Sequence, residues 1–136
     1  MSDVLKFPPM KDSPKQVVLV IDDEDTVQSF LKAALEKNGY TVAIAASGVE
    51  GLQMLQRGQF DGVISDMRTP GGVNGADVHA WLTTNRPNLA QHMLFITGDI
   101  VNEETSRILS STGIPYIEKP FRIRELIDAV ERMFLV

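Results

Sequence analysis

Five short apolar runs recur along the chain, and four of them end abruptly in polar or charged residues. The runs cover residues 17–21, 41–46, 63–66, 93–96 and 116–117. The first run is unbroken by any polar residue, which is typical of a parallel strand covered on both faces. Each run is followed by a segment in which apolar residues recur at helical spacing. This alternation predicts an α/β fold with a parallel sheet between two layers of helices.

The segments between the runs have the signatures of amphipathic helices. Apolar residues over 27–35 form one stripe, and Asn38-Gly39 ends that helix. Ser47 and Glu50 match a capping box at the start of the second helix. Three more helices are predicted over about 76–85, 102–111 and 123–134. Residues 1–15 contain three prolines among polar residues and are predicted to be a flexible leader or linker, which leaves 16–136 as one domain.

The composition excludes several classes of function. The formal net charge is −5 and no long run of Lys or Arg occurs, so a nucleic-acid-binding surface is not expected. The absence of cysteine excludes disulfides, thiolate catalysis and cysteine metal sites. No signal peptide and no apolar stretch of membrane-spanning length are found. We therefore expect a cytoplasmic domain without membrane contact.

Polar side chains stand where four of the predicted strands end. Asp22 and Asp23 follow the first run, Asp66 ends the third, Thr97 follows the fourth and Lys119 follows the fifth. Because the carboxyl ends of parallel strands lie along one edge of a sheet, we expect these side chains to share one site. Three neighbouring carboxylates need a cation to remain ionised, and Mg²⁺ suits oxygen ligands beside a phosphate. The pattern predicts a phosphoryl-transfer site with Asp66 as the nucleophile.

The motifs at these positions resemble the receiver domain of two-component response regulators over about residues 16–136. They are Val20-Ile21-Asp22-Asp23-Glu24, Ser65-Asp66-Met67-Arg68-Thr69-Pro70, Ile96-Thr97-Gly98 and Glu118-Lys119-Pro120-Phe121. Each residue alone has a simpler explanation, such as a helix cap or a turn, and only the combination is specific. The resemblance implies a flavodoxin-like, doubly wound (βα)5 fold whose five-stranded parallel sheet has the strand order 2-1-3-4-5.

The resemblance also implies a role for each residue of the site. Asp66 would accept a phosphoryl group from the phosphohistidine of a histidine kinase or a phosphotransfer protein. Lys119 would pair with that group, and the Thr97 hydroxyl would hydrogen-bond it. The Lys119–Pro120 peptide bond would be cis. The ligands of Mg²⁺ (or Mn²⁺) would be Asp22, Asp23, Asp66 and the backbone carbonyl of Arg68.

Tyr116 matches the switch aromatic of the resembled family. On activation Thr97 would move toward the phosphate and Tyr116 would turn inward, which remodels the face of the fourth helix, fifth strand and last helix. The domain would then be a signalling receiver rather than a metabolic enzyme. It would act as a stand-alone regulator or as the receiver of a hybrid histidine kinase, with an unidentified downstream target. A homodimer stays open, because the family often dimerises through its last two helices.

One spacing departs from the resembled family, and one other class of protein competes with it. Asp66 and Gly75 are nine positions apart, one more than is usual, so an insertion is expected at Gly71-Gly72. This changes the loop beside the acceptor, where Arg68 is expected to affect the lifetime of the phosphate. The alternative is a phosphohydrolase of the haloacid-dehalogenase type with Asp23 as its nucleophile. Such enzymes insert a cap after the first strand, where this sequence begins a helix at once.

Overall fold

A five-stranded parallel sheet forms the centre of the protein, in a computed structural model that describes residues 16–98 and 100–135. The strands are β1 (Val17–Ile21), β2 (Thr41–Ala45), β3 (Gly62–Asp66), β4 (Met93–Thr97) and β5 (Tyr116–Glu118). Their order in the sheet is β2-β1-β3-β4-β5, and every pairing is parallel. The predicted flavodoxin-like topology is confirmed. The leader or linker predicted over residues 1–15 lies outside the described residues.

Six helices connect and cover the strands. They are α1 (Asp25–Lys37), α2 (Gly48–Arg57), α3 (Gly75–Asn85), α4 (Pro87–Ala90), α5 (Glu103–Thr112) and α6 (Ile123–Phe134). The sequence did not predict α4, a single turn that begins with proline, the residue best suited to a first helical position. The other helices differ from their predicted bounds by about one residue at each end. Within the described residues no helix is both long and apolar enough to cross a bilayer.

The predicted capping box at the start of α2 forms only in part. Ser47 Oγ accepts a hydrogen bond from the Glu50 amide at 3.1 Å, as expected. The Glu50 carboxylate, however, accepts from the Ala46 amide at 2.6 Å, one residue before the position that a capping box requires. β2 ends at Ala45, one residue before the predicted end at residue 46.

Two apolar cores lie on opposite faces of the sheet. Successive residues of β1 point to opposite sides, so Val18 and Val20 join one core while Leu19 and Ile21 join the other. The first core is completed mainly by α1 and α6, and the second mainly by α2 and α3. All four of these β1 side chains are fully buried. The unbroken apolar run therefore reflects coverage on both faces, as the sequence predicted.

Candidate functional site

Three aspartates meet at the carboxyl edge of the sheet. Asp22 and Asp23 directly follow β1, and Asp66 is the last residue of β3, which pairs with β1. Each carboxylate offers an oxygen that lies within 4.8 Å of those of the other two. Asp22 is fully buried and Asp66 is 8% exposed, whereas Asp23 faces solvent. The shared strand register therefore assembles a set of hard oxygen ligands of the kind that Mg²⁺ prefers.

Lys119 supplies the positive charge at this edge. Its Nζ atom lies 2.8 Å from Glu24 Oε1, 3.0 Å from Asp66 Oδ2 and 3.1 Å from Asp22 Oδ2. Burial acts to lower the pKa of Lys119, but its hydrogen bonds with Glu24 and Asp66 outweigh that effect and raise the pKa above its ordinary value. The ammonium is therefore charged at any physiological pH. The Lys119–Pro120 peptide bond is cis, which confirms that expectation.

Asp22 has one carboxylate oxygen that is not fully satisfied. Its Oδ1 accepts a hydrogen bond from the Glu24 amide at 2.8 Å. Its Oδ2 is buried and makes no hydrogen bond, because the nearby Lys119 ammonium approaches within ion-pair distance but without hydrogen-bond geometry. This oxygen is held by the Lys119 charge alone and can accept a further ligand. Together with the oxygens of Asp23 and Asp66 it forms a donor set that fits a divalent cation.

Asp66 is held in surroundings that disfavour its charge. Burial raises the pKa of its carboxyl, the hydrogen bond and charge of Lys119 act to lower it, and the charge of Asp22 raises it further. The net direction is upward. Its Oδ1 receives only a long hydrogen bond of 3.4 Å, from the Arg68 amide. The charge of the Asp66 carboxylate is therefore only partly compensated by Lys119 and the Arg68 amide. A bound cation would compensate it further, and covalent modification would remove the charge from this oxygen.

The other predicted site residues, Thr97, Tyr116 and Arg68, differ in how far their side chains are exposed to solvent. Thr97 ends β4 and is 2% exposed, and its carbonyl accepts a hydrogen bond from the Lys119 amide at 2.8 Å. Tyr116 begins β5 with its side chain 46% exposed. The Arg68 guanidinium lies 3.8 Å from Glu104 in the first turn of α5, and both side chains are more than half exposed. Arg68 thus connects the loop after β3 to α5.

The loop between β3 and α3 contains Gly71 and Gly72, the pair at which the sequence predicts an insertion. Gly71 and Gly72 adopt φ values of +94° and +83°, a region that other residues rarely occupy. Thr69 closes the loop, because its Oγ1 donates to the Val73 carbonyl at 2.8 Å and accepts from the Gly48 amide at 2.9 Å. The loop is thus closed by its own hydrogen bonds, and Asp66 remains at the end of its strand.

Glu24 is a member of the site that sequence reasoning missed. It was named only as part of a motif, yet its carboxylate makes the shortest contact of Lys119. The signal that pointed to it was its place in the acidic run that directly follows β1, since residues 22–25 are all carboxylates. Sequence alone does not show which of these carboxylates turns toward a lysine 95 residues away.

A parallel sheet of this order, with acidic groups and a lysine at its carboxyl edge, defines a flavodoxin-like domain built to hold a cation and a phosphoryl group. The sequence profile of the response regulator receiver domain matches residues 18–131, and the chain belongs to that family. It is therefore a signalling receiver domain of two-component systems. Receiver domains bind Mg²⁺ at an aspartate cluster, and membership implies interaction with a histidine kinase or a phosphotransfer protein.

Curated relatives include both kinases and regulators. The chain is 30% identical over 123 residues to the sensor kinase CckA of Brucella abortus, covering 89% of this chain and 13% of that protein. It is 33% identical over 111 residues to the response regulator MprA of Mycobacterium ulcerans, covering 81% of this chain and 46% of that one. The chain thus spans less than half the length of either relative.

Solved structures of similar fold cover nearly the whole domain. A CheY-like response regulator receiver domain protein from Methanospirillum hungatei superposes with a TM-score of 0.79 at 26% identity, covering 89% of this chain and 94% of that one. CheY4 of Vibrio cholerae gives a TM-score of 0.77 at 25% identity, covering 88% and 99%. The haloacid-dehalogenase alternative is not favoured, because the family match is to receivers and α1 begins at Asp25, two residues after Asp23, which leaves no room for a cap.

Proposed function

We propose that Asp66 is the phosphoacceptor of this receiver and that Asp22, Asp23, Asp66 and the Arg68 carbonyl hold Mg²⁺. The observation that carries the proposal is the state of the Asp66 carboxylate. It is nearly buried at the end of β3, its pKa is raised by that burial, and the Lys119 ammonium lies 3.0 Å away. A carboxylate that is disfavoured as an anion and paired with a fixed cation is suited to form a covalent bond to phosphorus.

Phosphoryl transfer to Asp66 can be written from these groups. A carboxylate oxygen of Asp66 attacks phosphorus, an O–P bond forms, the P–N bond of the donor phosphohistidine breaks, and the departing imidazole takes up a proton. Mg²⁺ supplies neutralisation of the phosphoryl charge when it is bound. Lys119 donates to a phosphoryl oxygen, and the Thr97 hydroxyl donates to another once it turns toward the site. The chain contributes positioning and electrostatic stabilisation, so it assists its own modification without being a metabolic enzyme.

We also propose that Tyr116 and Thr97 form the switch that reports phosphorylation. Thr97 ends β4 and pairs with Glu118 of β5, the strand that Tyr116 begins, so a movement of Thr97 toward the phosphate would act on the strand that carries Tyr116. The 46% exposure of Tyr116 corresponds to the outward state. Inward rotation would change the face formed by α5, β5 and α6, which is a two-state response to a local change of charge.

Intact mass measurement tests the acceptor. The protein is incubated with Mg²⁺ and acetyl phosphate, and wild type is compared with Asp66→Asn, Asp23→Asn and the charge-matched control Asp25→Asn. We expect one phosphoryl group on wild type and on Asp25→Asn, none on Asp66→Asn, and strongly slowed labelling of Asp23→Asn. Labelling that persists in Asp66→Asn would overturn the proposal. If labelling is lost in Asp23→Asn but not in Asp66→Asn, the hydrolase chemistry with Asp23 as nucleophile would be indicated instead.

The switch is tested by NMR of the tyrosine rings. The chain has only two tyrosines, so a Tyr40→Phe variant assigns the Tyr116 signals without ambiguity. With Mg²⁺ and fluoroberyllate, a stable mimic of the phosphoryl group, we expect the Tyr116 ring to become protected from a soluble paramagnetic agent. Thr97→Ala should abolish this protection while leaving the fold intact. Unchanged exposure of Tyr116 in the wild-type complex would contradict the switch.

The wider setting of the domain stays a prediction. Relatives include a sensor kinase and a response regulator, which supports both a receiver attached to a kinase and a separate regulator. The donor would be a histidine kinase or a phosphotransfer protein, and the downstream target is unidentified. A homodimer and a cytoplasmic location likewise stay predictions from the sequence.

A further inference from the structure

Lys119 is held by three carboxylates that differ in their freedom to move. The side chain of Asp22 is 0% exposed, that of Asp66 is 11% exposed and that of Glu24 is 54% exposed. Asp22 is fixed by its hydrogen bond with the Glu24 amide, and Asp66 is fixed at the end of its strand. Glu24 has the longer side chain, and Lys119 is its one side-chain partner within the described residues. Glu24 is therefore the contact that can be released at least cost.

A phosphoryl group on Asp66 would compete for the Lys119 ammonium with three carboxylate oxygens that already lie within 3.1 Å of Nζ. An ammonium has three N–H donors, and Lys119 directs hydrogen bonds to Glu24 and Asp66. Because the Asp22 carboxylate lies nearly as close as these two, a phosphoryl oxygen that reaches Lys119 shares or displaces one of the three contacts, and that with the exposed Glu24 is released at least cost. Glu24 also faces a cleft of about 470 Å³ whose lining includes Lys119, Gly98 and Phe121. The Glu24 charge therefore repels an anion that enters this cleft.

We infer that Glu24 is a positioning residue that holds Lys119 in the unphosphorylated domain and competes with the phosphoryl group for it. This inference rests on the proposed function of Asp66. The two contacts of Lys119 are then alternatives: Glu24 before transfer, and a phosphoryl oxygen after it. The carboxylate slows labelling by anionic donors and weakens the binding of a phosphoryl mimic, because its charge repels both and its hydrogen bond must be given up first.

The test compares Glu24→Gln with Asp25→Asn. The Gln side chain has the size of Glu but carries no charge. Asp25 is the control because it is the neighbouring exposed carboxylate and makes no contact with Lys119 in the described part of the chain. With Mg²⁺ and acetyl phosphate at low salt, we expect Glu24→Gln to be labelled about three- to tenfold faster than wild type. Asp25→Asn should change the rate by less than about twofold. The gain of Glu24→Gln should shrink in 1 M salt, where screening is strong.

A second readout avoids the covalent step. The affinity of each variant for fluoroberyllate in saturating Mg²⁺ is measured by calorimetry, and we expect Glu24→Gln to bind it about three- to tenfold more tightly. A purely structural role of Glu24 would instead lower the melting temperature and leave this affinity unchanged or reduced.

The outcomes separate the inference from the proposal on which it rests. Wild type labelled at Asp66, with Glu24→Gln equal to or slower than wild type, overturns the role of Glu24 alone. Equal acceleration in Asp25→Asn overturns it as well, because a general charge effect then suffices. Wild type without any label at Asp66 overturns the proposed function and this inference together.

Discussion

Lys119 Nζ and Asp66 Oδ2 lie 3.0 Å apart although Lys119 follows β5 and Asp66 ends β3, two strands that are not neighbours in the sheet. The ion pair bridges the end of the intervening strand β4, where Thr97 is located. Lys119 therefore links β3 and β4, through its ion pair with Asp66 and through the hydrogen bond of its amide to the Thr97 carbonyl. A change in any one of these groups should be felt by the stability of the others.

Loss of the Lys119 charge should destabilise the protein when no metal is bound. In Lys119→Gln the buried carboxylates of Asp22 and Asp66 lose their cation, and we expect the free energy of unfolding to fall by about 2 kcal/mol in EDTA. Addition of Mg²⁺ should restore part of the loss. Urea unfolding measures both. Lys32→Gln, which breaks only an exposed pair with Glu36, is the control and should cost less than about 0.5 kcal/mol. Equal effects of the two variants would contradict the prediction.

Mg²⁺ should stabilise the folded state through the aspartate cluster. A ligand that binds only the folded chain at ten times its Kd raises the free energy of unfolding by about 1.4 kcal/mol. For a domain of this size that corresponds to an increase of about 5 °C in Tm. A thermal melt with and without Mg²⁺ measures this. Asp23→Asn should abolish the increase, and Asp25→Asn should retain it. A shift of equal size in both variants would place the ion elsewhere.

The charge of Asp66 should reduce stability as pH rises. Because the pKa of Asp66 is higher in the folded than in the unfolded chain, the folded state holds the proton more tightly. Stability from this group is present below its ordinary pKa of 3.8 and is lost as pH rises through the folded pKa. We therefore expect Asp66→Asn to unfold at higher denaturant than wild type at pH 7, by about 1 kcal/mol in EDTA.

Urea unfolding of wild type and Asp66→Asn between pH 4 and pH 8 checks this prediction. The difference between the two proteins should narrow toward acid pH, because the wild-type carboxyl becomes neutral there. Asp25→Asn is the control for removal of a carboxylate charge at an exposed position. A wild-type protein that is more stable than Asp66→Asn at pH 7 would contradict the raised pKa.

Gly72, in the loop after β3, should tolerate replacement by asparagine better than replacement by alanine. A Cβ on Gly72 would meet no atom within 4 Å, so the cost of Gly72→Ala comes only from its φ of +83°. We expect about 1 kcal/mol of lost stability from Gly72→Ala and less from Gly72→Asn, because asparagine accepts positive φ more readily. Urea unfolding of the two variants decides this. Equal stability of wild type and Gly72→Ala would show that the loop relaxes to another conformation.

Much of the fold could be predicted because its signals are local and repeated. The unbroken run of β1 indicated coverage on both faces, and its side chains are fully buried in two separate cores. The short helix α4 was missed because a single turn is too short to show an apolar period. The capping box at Ser47 was half wrong, since the Glu50 carboxylate had two backbone amides within reach and bonded the earlier one.

The sequence by itself determined which chemistry the site contains. Asp22, Asp23, Asp66, Thr97 and Lys119 follow strands whose carboxyl ends must meet in a parallel sheet, so their proximity follows from the topology. Only the tertiary structure decided how these side chains are paired. That Glu24 turns to Lys119, that Asp22 Oδ2 lacks a hydrogen bond, and that Arg68 faces Glu104 depend on side-chain torsions. Those torsions are set by charges far away in the chain, and no local pattern records them.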